Sequence, residues 1–544
     1  MNRKKDSFLK GAFILTAAGL ISRLLGAGYR LPLASLLGDE GIGLYQMAYP
    51  IYTTILSLST AGIPVAISKL VAEKMAEGEK RGAYRVFRIS LIMLIVAGLL
   101  SSVCLLLGAD YLSRQVLLDP RAYYAVIGVA PAIFLVSIMS AYRGLFQGLQ
   151  TMIPTAVSQI IEQIVRVVTV FVLAVHLLPF GLEYAAGGAT FGAVTGAFSS
   201  FLFLLFVYYR HRGLIVQPSD RTAPVAAEES GSQIIYRIAT LAVPVSLGAL
   251  ILPLMQTLDT VIVPSRLKVA GFNVNEATAL FGQLTGMATP LINLPSILTV
   301  ALATSLVPAV SEALALRNFA AARRRTYIGI RMTLLLGLPA MAGLYLLADE
   351  ICFMLYNNAE AGIPLSILAV GGIFLGLQQT TSGILQGTGR SFLPVRNLLI
   401  GAVGKIIVSY ALTGIPALGI RGAALGTITG FLLASSLNLY EVRRHIRFVP
   451  NWRELILLPM LAVGAMAIAV RPVYYAFFGL VARYGLGLRL RVAVAGLSTI
   501  LVSALLYGAM LLLVGGIKEE DLALLGLGRG RGWRFLRRIG LLRR

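Results

Sequence analysis

A stripe of polar and charged residues lies inside one of the apolar segments of the chain. Its members follow an i, i+3, i+4, i+7 spacing, which places them on one face of a helix: Gln159, Glu162, Gln163 and Arg166. At this spacing the Glu162 carboxylate can reach the Arg166 guanidinium directly. Guanidinium groups bind phosphate through two parallel hydrogen bonds, so one interpretation is a site for an anion. The other is an internal ion pair that binds no ligand.

Further ionisable and amide residues lie in apolar segments, where a charge is costly unless it meets a partner or a cavity. They are Arg23, Arg30, Arg143, Asp259, Gln379 and Lys405. Because basic residues outnumber acidic ones in this set, we predict a cationic cavity that binds an anionic substrate. For Arg30 and Arg143, which lie near span ends, the alternative is that the side chain extends to the lipid headgroups. For Asp259, a cation or proton site and a role as counter-charge both stay open.

The chain contains two halves of similar build. Gly144-Leu145-Phe146-Gln147-Gly148 returns as Gly383-Ile384-Leu385-Gln386-Gly387, an offset of 239 residues that aligns Lys405 with Arg166. Each half also has a ladder of glycines four residues apart, at 188, 192 and 196 and at 422, 426 and 430, which predicts a close helix-packing face. Duplicated halves in a membrane are typical of transporters, with the substrate site between them.

Composition indicates a membrane protein. Hydrophobic residues make up 57% of the 544 and charged residues only 13%, and apolar runs of about 20 residues, long enough to cross a bilayer, recur along the chain. The net charge of +23 does not indicate nucleic-acid binding, because the basic residues lie in loops between spans. We interpret Cys104 and Cys352 as buried structural thiols.

We predict an all-α integral membrane protein of fourteen spans, the first two at 8–31 and 43–68. Two six-helix lobes, 1–216 and 236–447, form a parallel repeat joined by a cytoplasmic linker at 217–235. Two further helices at 448–516 and a basic amphipathic cytoplasmic tail at 517–544 follow. The loops rich in Lys and Arg all fall on one side, which predicts that both termini are cytoplasmic.

Prolines occur in the second and eighth spans, and we predict hinges at Pro50, Pro64, Pro290 and Pro295 because proline removes a backbone donor and bends a helix. The sequence has no nucleotide-binding loop, no nucleophile–base set and no cluster of metal ligands. We therefore predict a transporter rather than an enzyme, with no cofactor and no metal.

Several motifs resemble exporters of the multidrug/oligosaccharidyl-lipid/polysaccharide (MOP) superfamily. Ile21-Ser22-Arg23-Leu24-Leu25-Gly26 resembles their first helix, and the stretch from Gly41 to Lys69 is similar to the polysaccharide-biosynthesis branch that includes stage V sporulation protein B. The resemblance implies a two-lobed fourteen-helix fold and flipping of undecaprenyl-diphosphate-linked saccharides, with the peptidoglycan precursor lipid II as leading candidate. It also implies that the added pair of helices forms a groove for the lipid tail.

The resemblance further implies essential arginines in the first helix. Arg23 matches by motif, whereas Arg30 is displaced by one residue, and the acidic residue expected near the outer end is either Asp39 or Glu40. We expect Arg23, Arg30, Arg166 and Lys405 to hold the diphosphate in a bacterial plasma-membrane flippase that works by alternating access. We expect a monomer whose partners are the lipid-linked saccharide and the bilayer, with coupling to H⁺ or Na⁺ left open and no nucleic acid.

Three alternative functions compete with this one. A multidrug or organic-cation antiporter of the same superfamily needs carboxylates and aromatic rings facing the cation, and here arginine and lysine prevail. An exporter of a different lipid-linked polysaccharide unit would use the same cationic site. A scaffold for cell-wall synthases would have no need of charges inside the membrane.

Overall fold

The structure is a computed structural model that describes residues 14–15, 17–19, 21–22, 24–26, 28–60, 62–215 and 229–516. Within these ranges every regular element is helical, which confirms the all-α prediction. The predicted tail at 517–544 and most of the predicted linker at 217–235 lie outside the described residues.

Sixteen α-helices have both ends within the described residues, and the described residues before Tyr29 are helical as well. The first eight are α1 (Arg30–Thr60), α2 (Ile63–Ala76), α3 (Lys80–Tyr111), α4 (Ala122–Gly148), α5 (Met152–Leu177), α6 (Leu182–Ile215), α7 (Gly231–Val269) and α8 (Val274–Gly282). The next eight are α9 (Thr289–Ala315), α10 (Phe319–Leu346), α11 (Ala348–Tyr356), α12 (Gly362–Gly387), α13 (Phe392–Thr413), α14 (Ile420–Ile446), α15 (Leu458–Ala482) and α16 (Leu488–Leu513).

Thirteen helical stretches among the described residues are long and apolar enough to cross a membrane. The first of them, Ala17–Ala76, is 60 residues long, about three times the ~20 residues that one crossing needs. The helical path breaks inside it at Gly38, whose φ of 70° lies in the left-handed region that glycine adopts without strain. We therefore interpret this stretch as two crossings, in agreement with the fourteen predicted spans.

The chain divides into two compact units. The first comprises Met1–Ser265 and Asn273–Gly282, and the second comprises Arg266–Phe272 and Gln283–Arg544. The division thus falls inside α7, later in the chain than the linker that separates the two sequence repeats. The start of α7 belongs to the first unit because Ile234 and Ile238 are buried in the same apolar cluster as residues of α2, α3, α4 and α6.

The repeated glycine motif brings helices into backbone contact in the first unit. A Cβ built on Gly144 would lie 2.9 Å from the carbonyl oxygen of Pro64, and one on Gly148 would lie 2.9 Å from that of Ser68. Real Cβ atoms essentially never approach a backbone oxygen so closely, and any larger residue would push α4 away from α2.

The second copy of the motif makes the equivalent crossing in the second unit. A Cβ on Gly383 would lie 2.5 Å from the carbonyl oxygen of Ala303, and one on Gly387 would lie 2.8 Å from that of Val307. Ala303 and Val307 are each 239 residues beyond their counterparts on α2. The motif is therefore repeated because the same helix crossing, in the same register, is built twice.

The four predicted hinge prolines lie at points where helices can bend. Pro50 and Pro295 are inside α1 and α9, and Pro64 is in the first turn of α2. Pro290 is in the first turn of α9, directly after the π-helical stretch Gln283–Ala288. Proline and π-helical turns both interrupt the regular hydrogen bonds of a helix. Their role as hinges stays a prediction.

The two cysteines differ in environment. Cys352 on α11 is buried, as predicted, whereas Cys104 is exposed on α3. The prediction for Cys104 was wrong because an apolar membrane helix has an outward face as apolar as its buried one, so hydrophobic neighbours do not imply burial.

Candidate functional site

The Glu162 carboxylate on α5 joins two arginines in the first unit. Its Oε1 accepts a hydrogen bond of 2.6 Å from Arg166 Nη2, one turn further along α5, and its Oε2 accepts one of 2.9 Å from Arg143 Nη2 on α4. All three side chains are only 12–16% exposed. The contact that the sequence spacing allows is therefore made. Arg143 turns inward to the carboxylate and does not extend to the headgroups.

Two serine hydroxyls hold the Arg143 guanidinium in place. Its Nε donates to Ser158 Oγ at 3.0 Å, and its Nη2 also donates to Ser200 Oγ at 3.2 Å. Both serines are completely buried. Sequence reasoning missed them, although Ser158 lies one turn before Glu162 on the polar face of α5 and extends that stripe.

The glycine ladder of α6 packs directly against the charged turn of α5, which confirms the predicted packing face. A Cβ on Gly196 would lie 2.6 Å from the Glu162 carbonyl oxygen and 3.0 Å from Arg166 Cβ. One on Gly192 would lie 3.0 Å from the Arg166 carbonyl oxygen. The backbone that carries both charges is thereby held against a second helix, which limits the positions that the two side chains can take.

Several buried polar atoms on α5, at Arg30 and in the segment before it have no hydrogen-bond partner among the described residues. They are Ser22 Oγ, Arg30 Nε, Gln159 Oε1, Gln163 Nε2 and Arg166 Nε. Buried polar groups are normally satisfied, because each one left without a partner costs about 1–3 kcal/mol. The predicted stripe on α5 therefore presents donors and acceptors that a polar ligand could use.

Arg30 lies against a group of tyrosines on α1. Its guanidinium carbon is 5.3 Å from the centre of the Tyr49 ring, within the range of a cation–π interaction. Tyr49 stacks on Tyr45 and also contacts Tyr52, each at 5.7 Å between ring centres, while the hydroxyls of Tyr29 and Tyr45 are 2.9 Å apart. The i, i+4, i+7 spacing of the three α1 tyrosines was a sequence signal for this surface that our reasoning missed.

The tyrosines connect Arg30 to the ion pair on α5. Tyr29 and Tyr49 lie close enough to interact electrostatically with both Arg30 and Arg166. We call Arg30, Arg143, Glu162 and Arg166 the cationic cluster. Three guanidinium groups against one carboxylate give the cationic cluster a net charge of +2.

Two further residues of the first unit were predicted to belong to the site. Arg23 lies outside the described residues, so its role stays a prediction. Asp259 is half-buried on α7, two residues after Thr257, whose hydroxyl is 2.8 Å from that of Thr54 on α1. The segment that carries Asp259 therefore packs against α1, the helix of the tyrosines.

In the second unit, Lys405 on α13 occupies the position that the repeat assigns to it. A Cβ on Gly430 would lie 3.0 Å from Lys405 Cβ, and one on Gly426 would lie 3.0 Å from the Lys405 carbonyl oxygen. These are the same distances that the ladder of the first unit makes with Arg166. The Lys405 side chain is 8% exposed.

The polar network between α13 and α14 combines neutral side chains with one ion pair. Arg396 donates to Asn397 Oδ1 at 3.0 Å and to Glu441 Oε1 at 2.7 Å. Asn397 Nδ2 donates to Asn438 Oδ1 at 2.9 Å, and Asn438 Nδ2 donates to Ser382 Oγ at 3.0 Å. One helix turn away from Ser382, Gln379 accepts a hydrogen bond from the Thr299 hydroxyl. The predicted amide Gln379 is thus part of a helix-to-helix contact within the second unit.

An acidic pair and one arginine join the loop before α4 to two helices. Arg121 donates to Glu40 Oε1 at 2.5 Å and to Asp119 Oδ2 at 2.8 Å, and the Thr278 hydroxyl donates to the same Asp119 oxygen at 2.8 Å. Burial of Asp119 favours its neutral form, but the hydrogen bonds from Arg121 and Thr278 hold its pKa below the usual value. The acidic residue of α1 that pairs with an arginine here is therefore Glu40.

Comparison with known proteins gives the family of the chain. The profile of the polysaccharide biosynthesis protein family matches residues 8–314, and the MatE profile matches residues 284–411. Stage V sporulation protein B of Bacillus subtilis (strain 168) is 33% identical over 440 residues, which is 81% of this chain and 84% of the relative. The lipid II flippase MurJ of the same organism is 28% identical over 493 residues, which is 87% of this chain and 90% of MurJ.

A solved structure shares the fold. The inward-facing conformation of a multidrug resistance MATE family transporter of the MOP superfamily matches with a TM-score of 0.66 at 19% identity, covering 80% of this chain and 98% of that protein. Its identity is too low to carry more than the fold. With a flippase among its relatives, the chain is a transporter rather than an enzyme. It is a multi-pass membrane protein that belongs to the polysaccharide biosynthesis protein family and has the fold of the MOP superfamily.

Proposed function

We propose that this protein is a flippase that moves an undecaprenyl-diphosphate-linked saccharide from the inner to the outer leaflet, with lipid II as its substrate. The observation that carries the proposal is the cationic cluster of the first unit. Its net charge of +2 matches the two negative charges of a diphosphate that links a lipid to a sugar. Membership of the family and the similarity to a lipid II flippase support the same substrate class.

The chemistry of the cluster suits phosphate rather than a sugar alone. Guanidinium groups offer planar forks of donors that match phosphate oxygens, and they remain charged at any pH that the protein meets. The Nε atoms of Arg30 and Arg166 are buried and have no partner in the described ranges, so each arginine has donors left for a ligand. A fixed positive site also lowers the cost of bringing phosphate charges into a region of low dielectric.

The remaining predicted residues have roles in the same cycle. Arg23 would add a further cation from the first helix, and Lys405 would contribute a weaker contact from the second unit. The polyprenyl tail would stay in the lipid while the headgroup passes through by alternating access. We place the protein in a bacterial plasma membrane with both termini in the cytoplasm, on the basis of the Lys and Arg distribution among the loops.

The competing function is export of organic cations, because the fold is that of a MATE transporter. A cation site needs a carboxylate that faces the substrate without a basic partner. Glu162 makes hydrogen bonds to two arginines, and the cluster around it has an excess of positive charge that repels cations. The structure therefore favours an anionic substrate.

The test is binding of lipid II, undecaprenyl phosphate and the organic cation tetraphenylphosphonium to purified protein in nanodiscs. We expect wild type to prefer lipid II, and Arg166→Gln to weaken that binding by about 10- to 100-fold, the equivalent of one charge-assisted hydrogen bond. Arg114→Gln is the matched control, because Arg114 is 60% exposed and pairs only locally with Asp110. If Arg166→Gln bound lipid II as tightly as wild type, Arg166 would not be part of the binding site. If wild type preferred tetraphenylphosphonium to lipid II, the antiporter function would be favoured.

A further inference from the structure

The cationic cluster contains a carboxylate at its centre, which is unexpected in a site for an anion. Glu162 uses its two oxygens separately, one for Arg143 and one for Arg166. Each guanidinium donates to the carboxylate through a single nitrogen, Nη2, and not through a two-nitrogen fork. One anionic group thus bridges two cations in the way that a phosphate group of the substrate would.

Helix packing alone does not demand this carboxylate. In the second unit the repeat offset of 239 residues puts Gly401 at the position of Glu162. There α13 and α14 pack through their glycine ladder as α5 and α6 do, with Lys405 in place of Arg166 and no carboxylate at that position. A structural need of the helix pair therefore does not explain Glu162.

The Glu162 carboxylate is not completely buried, and polar atoms without partners lie on the same helix face. The Glu162 side chain is 14% exposed, and Gln159 Oε1 and Gln163 Nε2 on the same face of α5 have no hydrogen-bond partner within the described segments. A ligand that approached along this stripe would meet the glutamines and the two guanidinium groups together.

We propose that Glu162 is an internal counter-anion, which occupies Arg143 and Arg166 in the empty transporter and is displaced from them by the diphosphate of the substrate. The proposal rests on the function proposed above. Without a counter-anion, the two guanidinium groups would repel each other in a region of low dielectric. With it, the arginines exchange one anion for another, so that the substrate is bound less tightly and is released on the outer side.

The proposal predicts a gain of affinity on removing a charge from the site. Glu162→Gln keeps the size of the side chain but cannot compete as an anion, so we expect it to bind inorganic pyrophosphate and lipid II about tenfold more tightly than wild type. Glu162→Asp retains the negative charge and should not show the gain. Because release becomes slow, we expect Glu162→Gln to flip fluorescent lipid II in proteoliposomes at a reduced rate.

A second pair of variants tests the proposal without relying on the single variant Glu162→Gln. The pair is Arg143→Gln and the double variant that also carries Glu162→Gln. Arg143→Gln leaves Glu162 on Arg166 and should weaken pyrophosphate binding. Adding Glu162→Gln to that variant frees Arg166 without leaving an unpaired carboxylate, so binding should recover. Size-exclusion chromatography and thermal unfolding establish that each variant is folded.

The outcomes separate the two proposals. If wild type binds neither lipid II nor pyrophosphate, the proposed function fails. If wild type binds both, but Glu162→Gln binds them equally or more weakly and the double variant shows no recovery over Arg143→Gln, the flippase stands and the counter-anion is overturned. In that case Glu162 positions the arginines.

Discussion

The helix pairs α5–α6 and α13–α14 have the same packing but different chemistry. In both, a Cβ built on a ladder glycine of the second helix would lie 3.0 Å from the Cβ or the carbonyl oxygen of one basic residue. That residue is Arg166 in the first unit and Lys405 in the second. Around Arg166 the network includes a further arginine and a carboxylate, whereas around Lys405 the positions equivalent to Arg143 and Glu162 are Ser382 and Gly401.

The difference shows which features the two repeats retain. Backbone-to-backbone contacts tolerate nothing larger than glycine, so the ladders and the Gly-x-x-x-Gly motif are kept in both units. The charges between the helices differ. The cationic cluster of the first unit has three arginines and one carboxylate, whereas between α13 and α14 one arginine, Arg396, pairs with one carboxylate, Glu441. Recognition of an anion is therefore expected mainly in the first unit.

The largest expected effect concerns the equivalent positions Arg143 and Ser382. Arg143→Ala leaves the buried Glu162 with one cation and removes the partner of two buried serines, and should cost about 3–5 kcal/mol of unfolding free energy. The counterpart Ser382→Ala loses two neutral hydrogen bonds, one from Asn438 and one from Gln378, and should cost about 1–2 kcal/mol. Steric trapping in bicelles measures the unfolding free energy of both variants. Equal losses of unfolding free energy would contradict the expected difference.

The next effect concerns why the second unit has glycine, and not a carboxylate, at the position equivalent to Glu162. A Cβ on Gly401 would lie 2.4 Å from the carbonyl oxygen of Gly430, so Gly401→Ala should destabilise the protein by about 1–3 kcal/mol. Gly464→Ala is the control, because a Cβ there meets nothing within 4 Å, and alanine is the better helix former. Thermal unfolding compares the two, and a Gly401→Ala protein as stable as wild type would show that this position can accept a side chain.

Binding measurements sharpen the assignment of the site to the first unit. Arg166→Gln should lower lipid II affinity by about 10- to 100-fold. Lys405→Gln, at the equivalent position, should lower lipid II affinity by only about 2- to 5-fold, because the position equivalent to Arg143 is Ser382 and the lysine ammonium is a point charge without a planar fork of donors. Ligand titration in nanodiscs measures the two affinities. If both variants lost the same amount of lipid II affinity, both units would bind the diphosphate.

The smallest effect is a dependence of stability on pH at the loop before α4. The folded pKa of Asp119 is lowered below its unfolded value of 3.8, so its contribution to stability is present above that value and is lost as the pH falls through the folded pKa. The repeat counterpart is Asn358, which does not titrate. Wild type should unfold at a higher temperature than Asp119→Asn at pH 7, and the gap should close below about pH 4. If the difference in unfolding temperature between wild type and Asp119→Asn did not change with pH, Asp119 would not act through its charge.

The sequence was sufficient for features set by local helix geometry and by repetition. The spacing of Glu162 and Arg166 dictates their contact on any helix, and the ladders at 188–196 and 422–430 predict close packing wherever a partner helix lies. The offset of 239 residues correctly equated Lys405 with Arg166. Hydrophobic length was enough to predict an all-α membrane protein.

Only the tertiary structure decided which helices supply the remaining partners. From the sequence alone, Arg143 could extend to the headgroups. In the structure it donates hydrogen bonds to Glu162 and Ser200 because α4, α5 and α6 cross at this point. The tyrosines beside Arg30 and the inclusion of the start of α7 in the first unit were decided in the same way. The physical reason is that an apolar helix in a membrane has no hydrophobic preference for one face over another, so contacts between distant helices follow from shape and polar complementarity, which spacing along one helix does not encode.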